Sequence, residues 1–182
     1  SVAVIGVGGV GINALQAAAL AGAETIIALD TNAQKAELAL TNGATHFINP
    51  VENGAIASIR ALTGGRGVDH SIECTGRPAA MASAYAMTRP AGSVVIVGIA
   101  PAGTDFVIPA IGLPGSKKRI IGSIYGGGVP ERDINKILGL YEAGRLALDG
   151  QIGKRIGLEK VNDALRWLED GVLGRTIIEF AA

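Results

Sequence analysis

Residues 1–30 read SVAVIGVGGVGINALQAAALAGAETIIALD, and the fold follows from how this stretch changes character along its length. Val2, Ala3, Val4 and Ile5 form an unbroken apolar run, the pattern of a strand buried on both faces of a parallel sheet. Gly6-Val7-Gly8-Gly9-Val10-Gly11 follows and contains the spacing G-x-G-x-x-G. An alanine-rich helical pattern continues to Gly22, and a second apolar run, Thr25 to Leu29, ends in Asp30. Strand, glycine turn, helix, strand and acid is the order of a βαβ unit that can hold a dinucleotide.

Each part of the unit has a physical job. Gly6 permits the tight turn off the strand, Gly8 lets the backbone come close to a pyrophosphate, and Gly11 lets the helix lie against the sheet. The helix that starts there aims unpaired N–H groups and the positive end of its dipole at the phosphates. Asp30 lies nineteen residues past Gly11, where a carboxylate can accept hydrogen bonds from an adenosine ribose and repel a 2′-phosphate. The expected cofactor is therefore NAD rather than NADP. Plainer readings stand beside these: glycines that serve packing alone, and Asp30 as a helix N-cap before Thr31-Asn32-Ala33.

Composition bounds the rest. A chain of 182 residues is one domain, or one domain with an attached piece. Sixteen basic and sixteen acidic residues cancel, leaving no basic field for nucleic acid and no strong field for a membrane surface. No apolar run approaches the ~20 residues of a membrane span. The one cysteine, Cys74, excludes an internal disulfide and a cysteine-rich metal site. A single thiol and no signal-peptide pattern set the expected location as cytoplasmic. The chain starts inside a strand and without Met, which predicts a piece of a longer protein.

Further along, Asn32–Leu40 reads as a helix stopped by Asn42-Gly43, Ala44–Asn49 as a short strand, and Ala55–Leu62 as a helix. Val68–Cys74 is expected as the fourth strand, Pro78–Met87 as a helix, Pro90-Ala91-Gly92 as a break, and Ser93–Ile99 as a long buried strand. Thr104–Ile108 alternates polar and apolar residues and suits an edge strand. Ile120–Tyr125 is expected as the sixth strand, and Gly126-Gly127-Gly128 as a hinge-like break. Pro130–Ala143 and Leu158–Asp170 read as amphipathic helices and Arg175–Phe180 as a last strand. This alternation implies an α/β fold: a doubly wound, six-stranded parallel sheet of the Rossmann type. The expected division is a dinucleotide-binding domain over 1–126 and a C-terminal helical arm over 127–182.

At this point the sequence resembles the zinc-dependent alcohol dehydrogenases of the medium-chain dehydrogenase/reductase superfamily, over essentially the whole chain. The segments that carry the likeness are VIGVGGVG, ALDTNAQKAELALTNGATHFINP, VDHSIECTGR, SVVIVGIAP, IIGSIYGG and the closing GRTII. PERD with LYEAGRL, and RIGLEKVNDAL, resemble the branch that oxidises formaldehyde adducts of thiols, the mycothiol-dependent enzymes among them.

The resemblance implies roles residue by residue. Gly8, Gly9 and Val10 would sit against the pyrophosphate, with Val10 also behind the nicotinamide, and Asp30 and Lys35 would meet the adenosine ribose. Thr75, Gly76 and Arg77 would line the ribose side of the crevice, and Val97, Gly98, Ile99, Ser123 and Tyr125 would flank the nicotinamide. Arg175 would reach a cofactor phosphate, and the strand near Thr104–Ile108 would pair across a two-fold axis in a homodimer or tetramer. The implied substrate is a small alcohol or aldehyde, with no nucleic acid or membrane partner. Each role has an ordinary rival: a solvated Lys35, an Arg77 paired with an acid, an exposed Arg175 on its strand, a Tyr125 packed in the core.

The family's catalytic zinc is held by ligands of an N-terminal domain, so zinc is expected there and not in this chain. His46 and His70 lie on two different expected strands and Cys74 in a strand run, no pair of them has metal-ligand spacing, and no catalytic residue is assigned. Two other readings remain: a zinc-free quinone reductase of the same superfamily, which Asp30 opposes, and a non-catalytic NAD-binding or oligomerisation module. A methyltransferase would leave Gly11 and Arg175 unexplained.

Overall fold

The computed structural model describes residues 1–51, 54–172 and 174–180. The chain forms two compact units, Ser1–Val129 and Pro130–Ala182. In the first, β1 (Val2–Ile5), β2 (Ile26–Leu29), β3 (His46–Ile48), β4 (Val68–Glu73), β5 (Thr88–Ile96) and β6 (Arg119–Gly122) make one sheet in the order β3-β2-β1-β4-β5-β6. Every pairing is parallel. The order runs outward from β1 on one side and then from β4 on the other, which is the doubly wound topology expected above.

The sheet's pleat sorts the apolar runs onto two faces. Ala3, Ile5, Ile27 and Leu29 join Ile59 of α3 (Ala55–Leu62) and Ala84, Tyr85 and Met87 of α4 (Pro78–Met87) in one core. Their alternates, Val2, Val4, Ile26 and Ala28, pack with Leu15 and Ala18 of α1 (Gly11–Leu20) and Ala39 of α2 (Ala36–Thr41) in the other. A fully buried side chain such as Leu15, Ile27 or Leu29 stabilises by about 1.5–3 kcal/mol. The central strands are therefore locked in register, because a one-residue slip would exchange the two sets between faces.

Several local readings are corrected. The expected 32–40 helix opens as a 3₁₀ turn, Ala33–Lys35, capped by Asn32, whose side chain accepts the Gln34 N–H at 3.0 Å. Strand β5 begins at Thr88, directly after α4, and runs through Pro90-Ala91-Gly92. Those three residues leave the ladder as a bulge: pairing passes from Val68↔Thr88 to His70↔Ser93, and Ala91 takes φ 59°. The buried Thr88 hydroxyl fixes that start by bonding Ser71 Oγ and the Ala84 carbonyl, each at 2.8 Å. β5 ends at Ile96, so Val97–Ile99 form the turn beyond it.

Thr104–Ile108 is not a strand. Thr104 instead turns back onto the Pro101 carbonyl through both N–H and hydroxyl. β6 stops at Gly122, short of Tyr125. A short helix, α5 (Gly112–Ser116), precedes it, unannounced by a stretch holding two glycines and a proline.

The second unit contains α6 (Pro130–Glu142), β7 (Ile152–Ile156), α7 (Val161–Glu169) and β8 (Arg175–Ile178), with β7 and β8 paired in parallel. The expected last strand is present as β8, and β7 beside it is an addition to the expected arm. β7 escapes a pattern reading because IGKRI carries two cations, and only its ends are partly buried. Lys154 lies 3.7 Å from the centroid of the Trp167 ring, which ties β7 to α7. Among the described residues no helix is long and apolar enough to cross a membrane.

Candidate cofactor crevice

Strands β1 and β4 are neighbours whose following connections lead to opposite sides of the sheet. Such a switch point opens a crevice at the carboxyl ends of the strands, the position where α/β sheets bind ligands. The turns after β1, β2, β4 and β5 are built from the residues singled out by the sequence.

After β1, Gly6 adopts φ 90° and its N–H donates to the Leu29 carbonyl at 2.8 Å. Gly11 starts α1 so close to this turn that a Cβ would run into the Gly6 carbonyl oxygen and lie 2.9 Å from its carbon. A Cβ on Gly8 would meet nothing within 4 Å. Gly8, Gly9 and Val10 are exposed at the N-terminal end of α1, which carries no acid in its first turn. Open space at a helix N-terminus suits an anion held by backbone amides. The residues present thus fit a pyrophosphate: Gly11 is required by the fold, and Gly8 leaves room that the fold does not use.

After β2, Asp30 is tied to that same turn. Its Oδ2 accepts the Val7 N–H at 2.8 Å and the Lys35 ammonium at 2.9 Å, and its Oδ1 accepts the Asn32 N–H at 2.9 Å. Asn32, not Asp30, caps the helix that follows. Lys35 is partly buried in this pair rather than solvated. A carboxylate has about four acceptor sites, so Oδ1 keeps capacity for a ribose hydroxyl.

After β4, Gly76 adopts φ 74°, and a Cβ there would strike the Ile99 carbonyl oxygen. A Cβ on Gly98 would in turn strike the Gly76 nitrogen. The two turns therefore touch backbone to backbone. Thr75 and Arg77 are exposed at the rim, and among the described residues Arg77 forms no ion pair. Ile99 is exposed, Ser123 donates to the Ile96 carbonyl at 2.9 Å, and Tyr125 stands 99% exposed with φ 48° rather than packed in a core. Arg175 leads β8 in the second unit.

One residue here was not foreseen. Glu73, the last residue of β4, is fully buried, and its carboxylate accepts from the N–H and hydroxyl of Thr75 and from the Gly76 N–H. The available signal was one acid near the end of the otherwise mixed run VDHSIEC.

Cys74 is poorly placed to act as a nucleophile. Burial, with the Glu73 charge beside it, pushes its thiol up to about 12. Because the thiolate is the reactive form, alkylation of the folded chain at pH 8 is expected to run roughly 10³-fold slower than for a free thiol. Timed iodoacetamide labelling checks this, and a free-thiol rate would refute it. His46 and His70 are both exposed, on strands separated by β2 and β1. Among the described residues no three of His, Cys, Asp or Glu gather as a metal-ligand group.

The family model of the zinc-binding dehydrogenases matches residues 9–143. The chain belongs to the zinc-binding dehydrogenase family. It is 36% identical, over 98% of its length, to the NDMA-dependent alcohol dehydrogenase of Amycolatopsis methanolica, of which it covers 49%. Its fold superposes with TM-score 0.94 and 35% identity on an alcohol dehydrogenase zinc-binding domain protein from Burkholderia ambifaria, covering all of this chain and 49% of that one. A Sinorhizobium meliloti protein assigned to the zinc-binding dehydrogenases and bound to NADP is 30% identical, TM-score 0.83, over 91% of this chain and 48% of its own. The chain thus spans about half the length of the relatives it matches. The matched half carries the glycine turn, Asp30 and the Glu73 turn described above.

Proposed function

We propose that the chain is the NAD-binding half of a zinc-dependent alcohol dehydrogenase, with 1–126 as the cofactor domain and 127–182 as an arm returning to a catalytic domain outside this sequence. The observation that carries the reading is Asp30, a carboxylate at the end of β2 clamped to the glycine turn beside the open apex at Gly8. Bound NAD supplies hydride acceptance at its nicotinamide ring.

This chain's own residues bind and orient it. The amides around Gly8, Gly9 and Val10 hold the pyrophosphate, and Asp30 accepts from the adenosine ribose. A dinucleotide laid across the crevice with its adenosine at Asp30 puts the nicotinamide against the turns after β4 and β5. Thr75, Gly76 and Arg77 then meet its ribose, and Val97, Gly98, Ile99, Ser123 and Tyr125 its ring. Arg175 pairs with a phosphate. The substrate is an alcohol or a formaldehyde–thiol adduct, taken in the cytoplasm by a homodimer or tetramer that uses the unpaired Thr104–Ile108 segment. The NADP-bound neighbour favours a second reading, an NADPH-dependent reductase, which the charge of Asp30 opposes.

Calorimetric titration of the 182-residue chain with NADH and NADPH is the test. Binding of NADH in clear preference to NADPH is expected, with no alcohol-dependent NADH formation by this chain alone. Equal affinities, no binding, or turnover of alcohol would overturn the reading.

A further inference from the structure

Burying a carboxylate costs several kcal/mol unless hydrogen bonds compensate it, and Glu73 is fully buried in the sheet. It stands in register with Ile5 on β1 and Ile96 on β5, where an apolar side chain would serve packing equally well. Among the described residues no cation pairs with it. Its partners all lie two and three residues ahead: Oε1 accepts the Thr75 N–H at 2.7 Å, the Thr75 hydroxyl, and the Gly76 N–H at 3.1 Å, and Oε2 reaches the same Gly76 N–H at 3.2 Å. The bonded Thr75 hydroxyl then accepts the Arg77 N–H at 3.1 Å, so the lock extends to the start of α4.

The backbone of the same residue fixes the neighbouring turn. The Glu73 carbonyl accepts the N–H groups of Val97 at 2.9 Å and Gly98 at 3.0 Å. A Cβ on Gly98 would come within 2.7 Å of Glu73 Oε2, and one on Gly6 within 2.6 Å of Thr75 Cγ2. The turns after β1, β4 and β5 thus rest on one another, with Glu73 beneath the last two. A trans peptide points its N–H and C=O in opposite directions. With the Thr75 and Gly76 amides turned onto the buried carboxylate, the Cys74 and Thr75 carbonyls face away from it. A wall of acceptors of this kind suits hydroxyl donors and is hostile to phosphate.

We propose that Glu73 is a positioning residue that pre-forms the nicotinamide-ribose wall of the crevice by locking the turns after β4 and β5, without acting on the adenosine half. The proposal rests on the dinucleotide reading above. Glu73→Gln keeps the shape but turns one acceptor into an amide donor facing the Gly76 N–H and removes the charge that strengthens the remaining bonds.

The test titrates the chain and its variant with NADH and, separately, with ADP, which carries only the adenosine and phosphate groups. For E73Q, NADH affinity is expected to fall at least tenfold while ADP affinity changes less than twofold. A uniform loss with both ligands, the mark of a merely structural role, or no loss with either, overturns the proposal. Amide hydrogen exchange gives a reading independent of any ligand. Exchange at Thr75, Gly76 and Gly98 is expected to accelerate at least tenfold in E73Q, with β1 and β2 unchanged, and equal exchange in both proteins also overturns it. If the wild-type chain binds neither ligand, the dinucleotide reading fails and exchange alone decides whether Glu73 locks the turns. Thr75→Val, exposed and shape-conserving, covers a failure of E73Q to fold: it removes one donor to the carboxylate and is expected to act in the same direction more weakly.

Discussion

Gly11→Ala is expected to lower the stability of the first unit by at least about 3 kcal/mol, a fall in Tm on the order of 6–12 °C for a chain of this size. The added methyl would occupy the space of the Gly6 carbonyl, and both atoms belong to backbone: one to the turn that leaves β1, the other to the first turn of α1. No side-chain rotation relieves such a clash. α1 would have to move off the sheet, taking the fully buried Leu15 and the Ala18 contact out of their core. Gly8→Ala supplies the contrast. Nothing lies within 4 Å of its added Cβ, so stability is expected to stay within about 0.5 kcal/mol. NADH affinity should nevertheless fall tenfold or more, because the methyl enters the space where a phosphate would approach the amides. Thermal denaturation and NADH titration of the two variants separate the glycine that the fold needs from the glycine that the ligand needs. Equal stabilities for G8A and G11A would refute that division.

How much of this was legible depended on the distance over which the cause acts. β1 and β2 were readable because strands buried on both faces leave unbroken apolar runs, and the glycine spacing between them is a local steric requirement. The start of β5 was not. Pro90-Ala91-Gly92 carries the local chemistry of a break, and what makes it a bulge inside a strand is the Thr88 hydroxyl bonded to Ser71 and Ala84. The same limit hid Glu73, since an acid at a strand end reads as a solvated charge until the Thr75 and Gly76 amides fold back onto it. It also concealed half of the role of Asp30. The spacing from Gly11 marks a ribose acceptor, but the bond to the Val7 N–H spans 23 residues and exists only once β1 and β2 lie side by side. β7 stayed invisible for another reason: a strand exposed along its middle, with two cations among its five residues, has no apolar periodicity to reveal it.

Because Asp30 holds the glycine turn as well as a negative charge, its replacement needs two variants to be informative. Asp30→Asn keeps an oxygen able to accept the Val7 N–H and removes only the charge, whereas Asp30→Ser also withdraws that acceptor. In both, Lys35 loses its partner at 2.9 Å and is left as a free ammonium beside the position assigned to the ribose. A 2′-phosphate there exchanges carboxylate repulsion for lysine attraction. NADPH affinity is therefore expected to rise about tenfold, while NADH, losing a charge-assisted acceptor worth roughly 1.5–3 kcal/mol, falls about tenfold or more. The ratio of the two affinities moves about a hundredfold, or ~2.7 kcal/mol, toward NADPH. Asp30→Ser should show the same ratio with a further stability loss of about 1–2 kcal/mol, the cost of a buried Val7 N–H left without its acceptor. Added salt should shrink the NADPH gain, since the new interaction joins two charges at a partly exposed site. Parallel titrations with NADH and NADPH decide the matter. An unchanged ratio in both variants would mean that the adenosine ribose does not lie at Asp30, and the assignment of the crevice would fall with it.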